Sequence, residues 1–174
     1  EIYFRRLMNR IKELVESLEL LPHPEGGFYK ETYRSEGLIG TESLSENYSG
    51  PRYYSTGIYF LLTANIFSAF HKINQDEMWH FYDGYPIELH MIDDEGKHEC
   101  IIIGKDLAKG EHLQYVVPGG VWFASRVANN EEYSLLGCTV SPGFDFKDFV
   151  LPSFNELSSK FPQHKGIIKE LTRS

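Results

Sequence analysis

The chain has 174 residues, enough for one domain that buries roughly two-thirds of the surface its unfolded form exposes. Hydrophobic residues make up 41% of it and aromatic residues 14%, with Tyr and Phe far outnumbering Met, which excludes a disordered chain and favours packed β-structure. Asp and Glu outnumber Lys and Arg by 25 to 17, a net charge of -8 with no basic cluster to neutralise a run of phosphates, so nucleic-acid binding is not expected.

Leu7, Ile11, Leu14, Val15 and Leu18 recur at helical spacing, with Arg6, Lys12, Glu13 and Glu16 on the other side and Pro22 soon after, which predicts an amphipathic helix within residues 1–21. No apolar run approaches the roughly 20 residues of a membrane span, and the first ten residues lack a signal peptide's apolar centre. Cys100 and Cys138 each sit in an apolar strand-like run, where a free thiol behaves as a small buried hydrophobe. A cytoplasmic protein with no membrane contact is the expectation.

From Phe28 to Val150 the pattern changes to short runs rich in Tyr, Phe, Ile, Val and Thr. Turn residues punctuate them at Asp83-Gly84, Asp94-Glu95-Gly96, Pro118-Gly119-Gly120, Asn129-Asn130 and Ser141-Pro142-Gly143. About ten strands with no helices between them predict an all-β antiparallel sandwich or barrel over residues 22–151. Residues 36–51 form a long polar loop, either a lid or partner contact or a plain connection. Phe154, Leu157, Phe161, Ile167, Ile168 and Leu171 predict one or two short helices in 152–174 that cap the sheet's outside. The whole, 1–174, is expected to be one domain.

Side chains alternate along a strand, so Glu77, Trp79 and Phe81 share one face while Met78, His80 and Tyr82 share the other. If Glu77 faces the interior, His80 faces away unless a bulge intervenes. His71 and Glu77 either line an apolar pocket and exchange protons with a ligand, or hydrogen-bond each other and the backbone. The segment from Glu25 to Arg34 carries Gly26-Gly27 and then alternates Tyr29, Glu31 and Tyr33 against Phe28, Lys30, Thr32 and Arg34. Two phenols and a carboxylate on one face suit a hydroxylated or planar ligand, or else cover a subunit contact. No Ser elbow, paired Cys ligands or His-rich tract supports a hydrolase triad or a structural zinc site.

Five ordered motifs carry a resemblance that runs from about Leu20 to Leu151. They are Pro22-His-Pro-Glu-Gly-Gly-Phe-Tyr-Lys-Glu-Thr-Tyr-Arg34, Ser55-Thr-Gly-Ile-Tyr-Phe-Leu-Leu62, the run from His71 through Asp76-Glu-Met-Trp-His-Phe-Tyr-Asp-Gly84, Gln114-Tyr-Val-Val-Pro-Gly-Gly-Val-Trp-Phe123, and Cys138-Thr-Val-Ser-Pro-Gly-Phe-Asp-Phe146. Together they resemble the cupin-superfamily group labelled a domain of unknown function. The resemblance implies a double-stranded β-helix, the cupin jelly roll, commonly dimeric, with a ligand cavity at the barrel centre.

Metal-binding cupins carry H-x-H, a Glu, a Gly and a later His. By that resemblance this chain keeps His71, Glu77 and Gly84 but has Ile73 and Phe123 at the other two ligand positions. One His and one carboxylate bind a transition metal weakly, so no metal and no cofactor is expected. His80 or His90 is the first candidate to complete a site if one exists.

The resulting expectation is a homodimeric cupin that binds a small polar ligand, a carbohydrate or nucleotide-sugar derivative, and epimerises or isomerises it without metal. His71 and Glu77 are the catalytic candidates, and Glu25, Tyr29, Glu31, Tyr33, Trp79, His80, Trp122 and Phe123 the ligand-binding ones. The alternatives are a metal-dependent oxygenase or isomerase, and a non-catalytic sensor or storage module whose cavity is filled by Trp79, Phe81, Trp122 and Phe123. Fold alone does not choose among them.

Overall fold

A computed structural model describes residues 2–173. Its first element, helix α1 (Ile2–Ser17), uses the predicted stripe: Ile11, Leu14, Val15 and the following Leu18 pack with Leu20 against Leu61, Tyr133 and Leu135. The side chain of Leu7, assigned to the same stripe, lies outside the described residues. Arg10 ties the helix to the sheet below through Asp83 at 2.9 Å.

Twelve strands follow, against the expected ten or so, and three of them are only two residues long. They are β1 (Leu21–Pro22), β2 (Phe28–Arg34), β3 (Leu38–Ile39), β4 (Arg52–Tyr53), β5 (Thr56–Thr63), β6 (Phe67–His71), β7 (Asp76–Gly84), β8 (Ile87–Ile92), β9 (His98–Ile103), β10 (Gln114–Val117), β11 (Trp122–Val127) and β12 (Tyr133–Ser141). A six-stranded sheet in the order β1-β2-β5-β12-β7-β10 faces a four-stranded one in the order β6-β11-β8-β9. Every strand pairing within them is antiparallel. β3 and β4 make a separate short pair that closes the polar loop segment.

Alternation puts Phe60, Leu62, Trp79, Leu89, Met91, Phe123, Leu136 and Cys138 between the two sheets, where they form the main core. The opposite faces are not left bare. α1 covers part of the large sheet, and α2 (Phe154–Lys160) and α3 (Lys165–Glu170) cover the small one by packing Leu157, Phe161, Ile168 and Leu171 on Phe70, Ile92, Trp122 and Ala124. Cys138 is buried as expected, but Cys100 is exposed. It pairs with His90 on the outward face of β8 and β9, while its neighbour Ile101 points into the core.

α2 opens on a capping box: Ser153 Oγ accepts the Glu156 amide at 3.2 Å, and Glu156 accepts the Ser153 amide at 2.7 Å. Ser153→Ala is therefore expected to cost about 1 kcal/mol. In a thermal melt that appears as a fall of about 2–4 °C, and an unchanged melting temperature would show the box to be idle.

Candidate functional site

The core does not fill the barrel from end to end. At the end where β7 begins and β12 finishes, a cavity of about 400 Å3 opens between the sheets. β5 contributes Thr56, Ile58 and Phe60, β7 contributes Glu77 and Trp79, and β12 contributes Cys138 and Val140. His71 ends β6 and reaches the same space, followed by Ile73. Glu77 and Trp79 therefore share the inward face, as period-two alternation requires.

Two loops complete the walls. The turn between β1 and β2 brings in His23 and Glu25. It depends on Gly26 and Gly27, whose φ values of 110° and 83° are closed to most L-residues, and a Cβ at Gly27 would lie 2.8 Å from the Leu61 carbonyl oxygen. The Ala69 amide donates to the Glu25 carbonyl at 2.8 Å, so this turn is stitched to β6 beside His71. The segment after β12 supplies Phe144, Asp145, Phe146 and Phe149, whose three rings meet edge to face at 4.9–6.4 Å. Its anchor is Asp148, buried and held by Arg52 in a two-pronged pair at 2.7 and 2.8 Å, with Gln75 adding a third bond at 2.7 Å. Burial works against the Asp148 charge, but the bonds from Arg52 and Gln75 outweigh it and keep its pKa below the ordinary value.

Inside the cavity the ionisable groups are tuned away from charge. His71 is 5% exposed, and burial lowers its pKa to about 4 despite a bond to the Ala69 carbonyl. That bond, 2.7 Å from Nδ1, places the proton on Nδ1 and leaves the Nε2 lone pair for a ligand. His23 is pushed down to about 3 by burial and by the nearby His71. Its Nδ1 accepts the Glu25 amide at 3.3 Å and lies against the Glu25 carboxyl, so Nε2 is the nitrogen left to meet a ligand. Glu77, half-buried with its exposed part in the cavity, is raised by burial to about 7, and the Trp79 indole N–H at 3.1 Å only partly offsets this.

Arg34 and Glu31 sit at the mouth, in a fork of 2.8 and 2.7 Å, and Arg34 also donates twice to the Phe144 carbonyl at 3.2 Å. Strict alternation would put Arg34 on the face opposite Glu31 and Tyr33 beside it. A β-bulge between Glu31 and Tyr33 reverses this: Glu31 pairs with Ile58, then Tyr33 with Gly57 and Arg34 with Thr56. Arg34 consequently turns inward, and Tyr33 is 58% exposed on the outer face.

Of the candidates drawn from the sequence, His71, Glu77, Glu25, Tyr29, Glu31 and Trp79 line the cavity. Four others do not. His80 faces outward and bonds Thr139 at 2.9 Å and Gln114 at 3.2 Å. Tyr33 is turned out by the bulge, and Trp122, beside the inward Phe123, lies under α2 and α3. Phe123 faces in but packs on His71, ring centres 4.1 Å apart, walling the cavity without lining it.

His90 is on the outer side of the small sheet, bonded to His98 and Glu88 at 3.0 Å each, so neither it nor His80 can reach His71. Ile73 and Phe123 supply hydrocarbon where a metal-binding cupin has imidazole. Among the described residues no group of three or more His, Cys, Asp or Glu is arranged to hold a metal ion. The donor set does not fit a resident metal. His23, Arg34 and the Phe144–Phe149 rim were not foreseen as site residues. Only the proline-flanked His23 beside two glycines carried a local signal.

The profile of the cupin superfamily group DUF985 matches residues 12–152. The chain belongs to this family. A Leishmania major hypothetical protein superposes with a TM-score of 0.85 at 35% identity, over 94% of this chain and 98% of that one. A Shewanella oneidensis protein does so with a TM-score of 0.82 at 41% identity, over 93% and 96%. An uncharacterized Saccharomyces cerevisiae protein is 35% identical across 79% of this chain and 73% of its own length. The DUF985 fold is thus the cupin jelly roll, and among the described helices none is long and apolar enough to cross a membrane.

Proposed function

We propose that this DUF985 cupin is a metal-independent isomerase or epimerase acting on a small polyhydroxylated carbonyl compound of carbohydrate type. The observation that carries the proposal is the pairing, in one aromatic-walled cavity, of a carboxyl group poised near neutrality with imidazoles held neutral by burial. Glu77, with a pKa of about 7, holds both protonation states in the physiological range, which is the condition for taking and returning a proton.

In the proposed step the Glu77 carboxylate accepts the proton from a carbon next to the carbonyl. The C–H electron pair becomes the C=C bond of an enediolate, and the carbonyl electrons move onto oxygen. His23 Nε2 stabilises that oxygen by donating to it, and His71 Nε2 accepts from the neighbouring hydroxyl. For isomerisation Glu77 then delivers its proton to the adjacent carbon while the neighbouring hydroxyl's proton passes to the former carbonyl oxygen, so that the carbonyl re-forms one carbon along; for epimerisation Glu77 returns the proton to the same carbon after the substrate presents its other face, and the carbonyl re-forms in place. Trp79, Phe60 and Phe149 keep water from the enediolate.

Turnover of aldoses and ketoses followed by proton NMR in deuterium oxide tests this, since exchange of the C–H proton accompanies the step. Glu77→Gln is expected to lower the rate about 10²–10⁴-fold and His71→Ala to lower it less. Unchanged turnover of a confirmed substrate by both variants sinks the proposal.

A further inference from the structure

The charges around the cavity limit what it can hold. Four carboxyl groups, Glu25, Glu31, Glu77 and Asp145, line it, against one guanidinium, Arg34. That guanidinium is not free: four hydrogen bonds commit it to Glu31 and the Phe144 carbonyl. The two imidazoles add no positive charge, because burial keeps both neutral at physiological pH. Arg52, buried behind the rim, is spent on Asp148, and Lys147 is exposed on the rim segment without lining the cavity. A phosphate or carboxylate entering here meets acids and no uncommitted cation in the lining, and its desolvation goes uncompensated there.

A cation meets the reverse. Glu77 and Asp145 both line the cavity, and among the described residues the Glu77 carboxyl accepts one hydrogen bond, from the Trp79 indole, and the Asp145 carboxyl one, from the Lys147 amide. The Phe144, Phe146 and Phe149 rings line the same cavity, with Phe146 52% exposed and therefore open to an incoming group. A ring-sized molecule fits about 400 Å3.

We infer that the cavity selects a ligand carrying an ammonium group, an amino-substituted polyol, and rejects phosphorylated and acidic sugars, nucleotide sugars among them. The inference rests on the proposed function only in taking this cavity as the ligand site.

Binding to the full chain is measured by calorimetry or ligand-observed NMR with three probes matched in ring and size: glucosamine, glucose and glucuronate. Glucosamine is expected to bind roughly tenfold more tightly than glucose, and glucuronate to show no binding. Asp145→Asn, which keeps an oxygen to accept the Lys147 amide, is expected to shrink the amine's advantage several-fold. Glu31→Gln frees one arm of Arg34 and is expected to admit glucuronate, a gain of function that misfolding cannot imitate.

Equal or tighter binding of glucose or glucuronate by the unaltered protein overturns the inference, and so does failure of glucosamine to bind at millimolar concentration. Binding is read without turnover. Tight amine binding with no proton exchange in any sugar therefore removes the isomerase and leaves the charge selection standing. Turnover of a neutral sugar by a charge-blind cavity does the opposite.

Discussion

Asp148→Ala is expected to destabilise the protein by about 3–5 kcal/mol, a fall in melting temperature of roughly 10 °C for a chain of this size. Asp148 and Arg52 have side chains 2% and 3% exposed, and their two bonds join the end of the aromatic rim to β4. Removing the acid strands a buried guanidinium, left with the Gly50 and Pro51 carbonyls at 3.1 and 2.9 Å and the Tyr48 ring 5.6 Å away, none of which carries a compensating charge. Gln75 Nε2 and Asn74 Nδ2 lose an acceptor at the same time. The cost is the uncompensated charge more than the lost attraction. Arg52→Met combined with Asp148→Leu should consequently recover most of the loss. Chemical denaturation of the two single variants and the pair decides it: a double variant no more stable than Asp148→Ala would show that the pair's attraction, not stranded charge, sets the cost.

The cavity itself is expected to give stability opposite pH slopes from its two kinds of group. His71 titrates near 6.5 unfolded and about 4 folded, so between those values the unfolded chain holds a proton that the native state does not. Stability therefore falls as pH drops through this window, by about 3 kcal/mol at 1.36 kcal/mol per pKa unit. Glu77 has the reverse linkage. Its folded pKa of about 7 exceeds the unfolded value, so its neutral form supports the fold below about pH 4.5, and that support is lost as pH rises through 7. Because Glu77 is half-buried, about 2 kcal/mol is the expected size. Glu77→Gln should match the unaltered protein at pH 4.5 and exceed its stability by about that amount at pH 8. Urea denaturation at both pH values reads the difference directly. A gain that is the same at both would show that Glu77 carries no buried charge. The group proposed to move the proton is thus also one that weakens the fold, a trade seen where function needs a desolvated acid.

Much of this protein was legible along the chain because side-chain alternation and turn chemistry are local. The stripe on α1, the Val- and Tyr-rich strands between Gly-marked turns, and Glu77 and Trp79 sharing a face all follow from periodicity and need no partner strand. His71 and Glu77 were recognisable as cavity residues by the same means once the barrel was inferred from its motifs. Tyr33 and Arg34 were not, since the bulge beside Thr32 arises from pairing with β5, and a single extra residue exchanges the two faces. Alternation puts Trp122 on the face opposite the inward Phe123, but only the tertiary structure decides that α2 and α3 cover that face. The meeting of His23 with His71 exists because the two sheets close on each other, and that of Arg34 with the Phe144 carbonyl 110 residues away because β5 brings β2 and β12 together in one sheet. Which side chains can face inward is a property of the strand; which of them meet, and with what charge between them, is decided by burial and register in the folded barrel.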